Sequence, residues 1–160
     1  MLVKNQNQSD SDKPKIIRRK SKVLVGVIEL CDLPDLEITN LNARIDTGAK
    51  TSSLHVDNIE EYEKDGELWV SFDIHPDIHN VDSIVRRHAK VKGRRKVKSS
   101  NAQAEKRCVI TTTFGMGGRK WKIQLTLTDR SEMSYLMLVG RQAMKGRMMV
   151  DPEYEYLLGQ

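Results

Sequence analysis

Cysteine is scarce in this chain and aromatic residues make up only 5% of it. No apolar stretch reaches the roughly 18 residues that a membrane-spanning helix needs. Two cysteines, Cys31 and Cys108, allow one bridge at most. That excludes a disulfide-stapled secreted scaffold and leads us to expect two reduced, structural thiols in a cytoplasmic protein. The first apolar run, Val23 to Leu30, is short, β-branched and stopped by Asp32 and Pro34, so it reads as a strand rather than a signal peptide or membrane span. There is no His-Glu-Xaa-Xaa-His and no paired Cys-Xaa-Xaa-Cys, and no metal is expected. The histidines are His55, His75, His79 and His88. His75 and His79 have helical ligand spacing, but Pro76 between them argues for a loop. A phosphate-binding Gly-Xaa4-Gly-Lys-Ser/Thr loop is also missing, so neither a nucleotide nor any other cofactor is expected.

Charge is distributed unevenly. Residues 1–22 carry seven Lys/Arg against two Asp, a net of +5, and subtracting them from 27 bases and 22 acids leaves twenty of each. The whole-chain excess of base therefore belongs to the tail. This tail holds few large apolar residues and is expected to be disordered, with one domain over 23–160. A neutral domain with no aromatic stacking surface is a poor nucleic-acid binder, and Trp69 and Trp121 are assigned to core or sheet.

What is there is mostly strand-like: short β-branched runs separated by turn residues. Strands are expected over 23–30, 37–45, 51–59, 67–74, 107–114, 120–128, 137–139 and 147–150, with Leu157 and Leu158 as a last edge. Lys64-Asp65-Gly66 and Gly115-Met116-Gly117-Gly118 read as hairpin turns. Trp121, Ile123, Leu125 and Leu127 alternate with polar residues, the period of a sheet with one buried face. Only Gly140 to Gly146 reads as helical, with Met144 facing the core. From Pro76 to Gln103 the pattern fails; Arg86 to Lys98 holds eight bases and no acid, and the stretch reads as a long exposed loop or a pair of mobile edge strands.

One segment carries chemistry. Asn42-Ala43-Arg44-Ile45-Asp46-Thr47-Gly48-Ala49 ends an apolar-alternating strand on a carboxylate and turns through glycine into small hydroxyl residues. Backbone and hydroxyl donors can hold such a carboxylate, and Gly48 admits a close backbone approach. About ninety residues on, Met137-Leu138-Val139-Gly140-Arg141 is an apolar strand running into a short helix.

In these two segments the chain resembles the retropepsins, which carry Asp-Thr-Gly-Ala early in a barrel lobe and an apolar-apolar-Gly-Arg segment near its end. A closer resemblance, over most of Val23 to Gly159, is to a bacterial family of small retropepsin-like proteins, labelled ATP-dependent zinc proteases and associated with the glutamate ligase of ribosomal protein S6. It runs through Ala43 to His55, Val97 to Ser100, Leu127 to Arg130, Met133, Leu138 to Arg141 and Val150 to Pro152. The resemblance implies an all-β, acid-protease (retropepsin-like) closed barrel with one short helix. It implies an aspartic endopeptidase, with Asp46 as acid/base, Thr47, Gly48 and Ala49 supporting the catalytic loop, and Gly140 and Arg141 bracing its floor. The chain departs from viral retropepsins at Lys50-Thr51, where an acidic pair is common, and in lacking a short Gly-rich flap; the basic stretch 86–98 with Ser99 and Ser100 is our candidate for that flap.

With a single Asp-Thr-Gly, the two-carboxylate mechanism requires a homodimer, unless Asp129 or Asp151 comes to lie beside Asp46. Candidate substrate-binding residues are His55, Arg94, Lys98, Ser99 and Ser100, and the substrate is expected to be a peptide or protein, acidic or glutamate-tailed, because basic residues beside the cleft would attract it. The alternative is a barrel without catalysis that binds a peptide or nucleic acid through the basic loop 86–98.

Overall fold

The computed structural model describes residues 22–75, 83–98, 104–129 and 135–159. The basic tail, His79, Ser99, Ser100, Arg130 and Met133 lie outside them. Six strands close a mixed barrel: β2 (Ile28–Leu33), β3 (Ile38–Ile45), β4 (Ser52–His55), β9 (Ala104–Met116), β10 (Arg119–Thr128) and β11 (Met137–Val139). The order around it is β10-β4-β11-β3-β2-β9, and β9 pairs back onto β10. Outside the barrel, β8 (Gly93–Lys98) extends the sheet along the first half of β9. A separate antiparallel sheet holds β5 (Asp57–Lys64), β6 (Glu67–Ile74) and β7 (Val85–Lys90), and a parallel ribbon pairs β1 (Val23–Val25) with β12 (Met148–Val150). The one α-helix among the described residues, α1, is short, Arg141–Met144, and Pro34–Leu36 forms a 3-10 turn. No helix among the described residues is long and apolar enough to cross a membrane.

The barrel interior is apolar: Leu41, Ala43, Leu54, Ile110, Phe114, Leu125, Met137 and Val139 are almost wholly buried. The expected alternation in β10 is present, since Lys122 and Gln124 are exposed while Ile123 and Leu125 are buried. Beyond Leu125 both faces are covered, and the Thr126 hydroxyl is satisfied by the Ser52 carbonyl at 3.1 Å. Both expected hairpin turns form where paired residues accept positive φ: Asp65 and Gly66 (53° and 76°), then Gly117 and Gly118 (61° and 75°).

Four sequence expectations need correction. The run 23–30 is two strands, because at Gly26 the chain passes so close to the Tyr154 backbone that a Cβ would sit 2.4 Å from its carbonyl oxygen. The run 51–59 is also two strands; Val56 donates to the Thr128 carbonyl, and the chain then leaves the barrel for the outer sheet. Of the two readings of 76–103, the long loop is the one corrected: residues 85–90 and 93–98 are strands, each at the edge of its sheet. They alternate half-buried with exposed positions instead of apolar with polar, which hides the period. Leu157 and Leu158 form no strand.

That last segment is fastened in another way. Glu29 is fully buried, and its carboxylate accepts from the backbone N–H groups of Gly26 (2.7 Å), Leu157 (2.9 Å) and Leu158 (3.1 Å). A buried carboxylate is tolerable only with this kind of saturation.

Candidate active site

β11 lies between β3 and β4, parallel to the first and antiparallel to the second. The loop joining β3 to β4 must therefore pass over the end of β11, and this loop carries Asp46. Backbone bonds strap the two together. Asp46 N–H donates to Val139 O (2.9 Å), Arg141 N–H to Ala49 O (2.8 Å) and Gln142 N–H to Lys50 O (3.0 Å). Side chains complete the junction: Arg141 Nη1 donates to Thr47 O (3.0 Å), and the buried Ser52 Oγ accepts from Gly140 N–H (3.0 Å). Only glycine fits at 140, since a Cβ there would meet the Thr51 carbonyl carbon and oxygen at 2.5 Å.

The Asp46 side chain is half-buried and accepts one backbone bond, from Gly48 N–H to Oδ1 at 2.9 Å. A side chain at 48 would press on that oxygen, its Cβ 3.1 Å away. The structure thus brings together Asp46, Gly48, Ala49, Gly140 and Arg141 as the sequence placed them. Thr47 contributes its carbonyl, while its side chain is exposed.

Above this floor lies a cleft of about 440 Å³. Asp46, Gly48, Thr51, Ser53 and Leu138 form one side of it, and residues 95–98 of β8 with Arg107 of β9 form the other. Its lining includes five bases (Lys50, Arg95, Lys96, Lys98 and Arg107) and one acid, Asp46. Arg95 is anchored across the cleft by Gln142 Oε1 (3.2 Å) and Gln124 Oε1 (2.8 Å). Arg107 is buried and donates through Nε to Glu105 at 3.3 Å.

Several expected site residues lie elsewhere. His55 stands at the far end of β4 and does not line the cleft; its Nε2 is 4.0 Å from Asp57, whose other oxygen takes His75 Nε2 at 2.9 Å. Arg94 is not in the cleft lining either. It pairs with Glu61, which also accepts from Cys108 Sγ at 2.9 Å. The Cys108 bond and the Arg94 charge hold the Glu61 carboxyl below the usual carboxylate range. Burial, with Glu61 adding to it, pushes the Cys108 thiol up to about 11. Lys98 lines the cleft as expected. Of the candidate flap, β7 belongs to the outer sheet and only β8 borders the cleft.

Asp129 follows β10, opposite the far end of β4, and Asp151 bonds through its N–H to Val25 O beside the β1–β12 ribbon. Neither is in the cleft lining. Among the described residues, no three His, Cys, Asp or Glu side chains are grouped to hold a metal ion.

Sequence reasoning passed over Arg95 and Arg107. Arg95 lies in a charge-rich strand with little apolar signal, Arg107 at the start of the apolar part of β9, and it is their pairing in the β8–β9 hairpin that brings them to the cleft together.

The family model described as RimB-like, retropepsin-like aspartic endopeptidase RimB, matches residues 24–160. Among curated proteins, the chain is 44% identical over 140 residues to a probable alpha-L-glutamate ligase of Shewanella pealeana, covering 88% of this chain and 31% of that protein. It is 43% identical over 138 residues to one of Parasynechococcus marenigrum, covering 86% of this chain and 30% of that protein. The chain thus spans under a third of the length of these relatives. A solved structure, protein Lpg0085 of unknown function (DUF785) from Legionella pneumophila, superposes with a TM-score of 0.70 at 30% identity, covering 86% of this chain and 99% of that one.

Proposed function

The chain belongs to the RimB-like family of retropepsin-like aspartic endopeptidases, and from that premise we propose that it hydrolyses peptide bonds in acidic protein substrates with water activated at Asp46. The observation that carries this reading is a carboxylate held on a strapped loop at the floor of a basic cleft, with one backbone donor on it. Its other lone pairs are free to take a proton from water. The working unit in this reading is a homodimer, which supplies a second Asp46, since the cleft lining holds no other carboxylate. Two carboxylates in contact cannot both ionise. They share one proton: the ionised one deprotonates the attacking water while the protonated one donates to the scissile carbonyl oxygen.

Five bases against one acid in the lining support an acidic substrate, for which on-rate and affinity fall as salt rises. Relatives named as probable glutamate ligases, in which the matched region is under a third of the protein, support glutamate-rich chains as that substrate. Two free, buried cysteines fit work in a reducing compartment, the cytoplasm.

The test is peptidase activity on a glutamate-tailed peptide for wild type and Asp46→Asn, with sedimentation of the same samples. We expect a folded, dimeric mutant with activity lower by about 10²- to 10⁴-fold, the usual contribution of a general acid–base group. Undiminished cleavage by the mutant, or full activity from a strict monomer, refutes the two-carboxylate reading.

A further inference from the structure

Arg107 is unlike the other bases of the cleft. Lys50, Lys96 and Lys98 are exposed, and both terminal nitrogens of Arg95 are bonded to glutamine oxygens. Arg107 is only 9% exposed, and its one bond runs from Nε to Glu105. Its two terminal amino groups meet no acceptor among the described residues, yet the residue lines the cleft that holds Asp46. A nearly buried guanidinium whose terminal donors open onto a cleft, with no acceptor of the described residues on them, is held in place to bind an acceptor from outside.

The strand register adds an independent observation. Arg107 stands directly opposite Arg95, and the adjacent pair is Lys106 opposite Lys96. Like charges facing each other across a strand pair destabilise it. A hairpin selected for stability alone would set opposite charges there. Two such pairs in succession, beside a cleft whose only acid among the described residues is Asp46, describe a surface completed by an anion from outside.

We infer that Arg107 is the specificity-determining residue of this cleft, its terminal nitrogens forking a carboxylate of the bound peptide. The inference rests on the reading of the cleft as a peptide site. The planar fork matches a carboxylate through two parallel bonds, which a lysine cannot reproduce. Two sources carry that chemistry, an acidic side chain and the free α-carboxylate at a chain end. The first places Arg107 beside the interior of an acidic chain; the second makes it a reader of C-termini.

The experiment measures binding in the Asp46→Asn protein, so that turnover plays no part, by fluorescence anisotropy. Three labelled peptides are compared: oligoglutamate with an amidated C-terminus, oligoglutamine with a free C-terminus, and oligoglutamine amide as reference. At least one of the two carboxylate-bearing peptides should bind about tenfold or more tightly than the reference, as charge-assisted bonds permit. Which of them does so identifies the source. Adding Arg107→Gln should abolish that preference, and Arg107→Lys should keep only part of it. A preference that survives Arg107→Gln belongs to the exposed lysines collectively and overturns the inference, as does the lack of any preference in the Asp46→Asn protein. If Arg107→Gln fails to fold, the Nε–H resonance of Arg107, assigned by its loss in Arg107→Lys, gives the answer: it shifts with the preferred peptide and not with the reference. An unmoved resonance counts against the inference. Failure of wild-type cleavage refutes the peptidase reading and leaves this binding result standing by itself.

Discussion

Glu29 and Asp46 are carboxylates at the same end of the barrel, Glu29 pairing with Ala43 three residues before Asp46, and their surroundings are opposites. Glu29 is sealed from solvent and takes three backbone N–H groups; Asp46 is half-buried and takes one. A saturated carboxylate has no capacity left for anything but holding the chain together. An unsaturated one, presented on a rigid loop, keeps lone pairs for a proton or a substrate. The contrast separates a fastener within strand β2 from a carboxylate on the loop that follows β3.

Exchanging each for its amide tests that contrast. Asp46→Asn should lose about 10²- to 10⁴-fold in peptidase rate while its denaturation midpoint stays within about 0.5 kcal/mol of wild type. Glu29→Gln should do the reverse. It turns an NH₂ group toward backbone donors and should lower stability by about 2–4 kcal/mol in chemical denaturation, with activity per folded molecule retained. If both variants lose stability, or both lose only activity, the two acids are not different in kind.

A smaller effect sharpens the picture of the rigid loop. Gly140→Ala should cost roughly 1–3 kcal/mol and reduce activity, because the Thr51 carbonyl must give way. Gly93→Ala, with nothing within 4 Å, is the control and should change neither.

The smallest effect concerns a third acid, Glu61, and the thiol bonded to it. The Cys108 thiol is pushed up by burial and then by Glu61, so the folded state favours its neutral form. Its contribution to stability is therefore complete below the ordinary thiol value near 9 and lost as pH rises through about 11. Wild type should lose stability relative to Cys108→Ser across that window, read as a narrowing gap in denaturation midpoints. Thiol labelling of the folded protein at pH 8 should be slow at Cys108.

The Asp46 loop was legible in the sequence because it depends on local chemistry: a short acid, a glycine two residues on, and a Gly-Arg pair closing a strand. The barrel strands were legible where one face is apolar, as in β10. β7 and β8 were left between a loop and a pair of edge strands, because they stand off the barrel with half-buried charged side chains and no apolar stripe. Arg107 was hidden for another reason, although its strand was expected. Its exposure and its missing partners are properties of a hairpin register that no single strand contains. Glu29 left a faint sign, one acid inside the otherwise apolar run Val23 to Leu30, but two of its three partners are more than a hundred residues away. His55 was selected for proximity in sequence to Asp46, and the direction of β4 carried it away; Arg94 was selected as part of the basic stretch 86–98, and its charge is taken by Glu61 instead.

The placement of β11 between β3 and β4 has a consequence for the order in which the molecule can be made. Two strands that follow one another in the chain leave a gap that a segment some ninety residues later must fill. During synthesis the Asp46 loop emerges early, but its straps at Val139, Arg141 and Gln142 do not yet exist. Contacts this distant in sequence form late in folding. A nascent chain therefore carries Asp46 on an unbraced loop until nearly the whole domain has been translated.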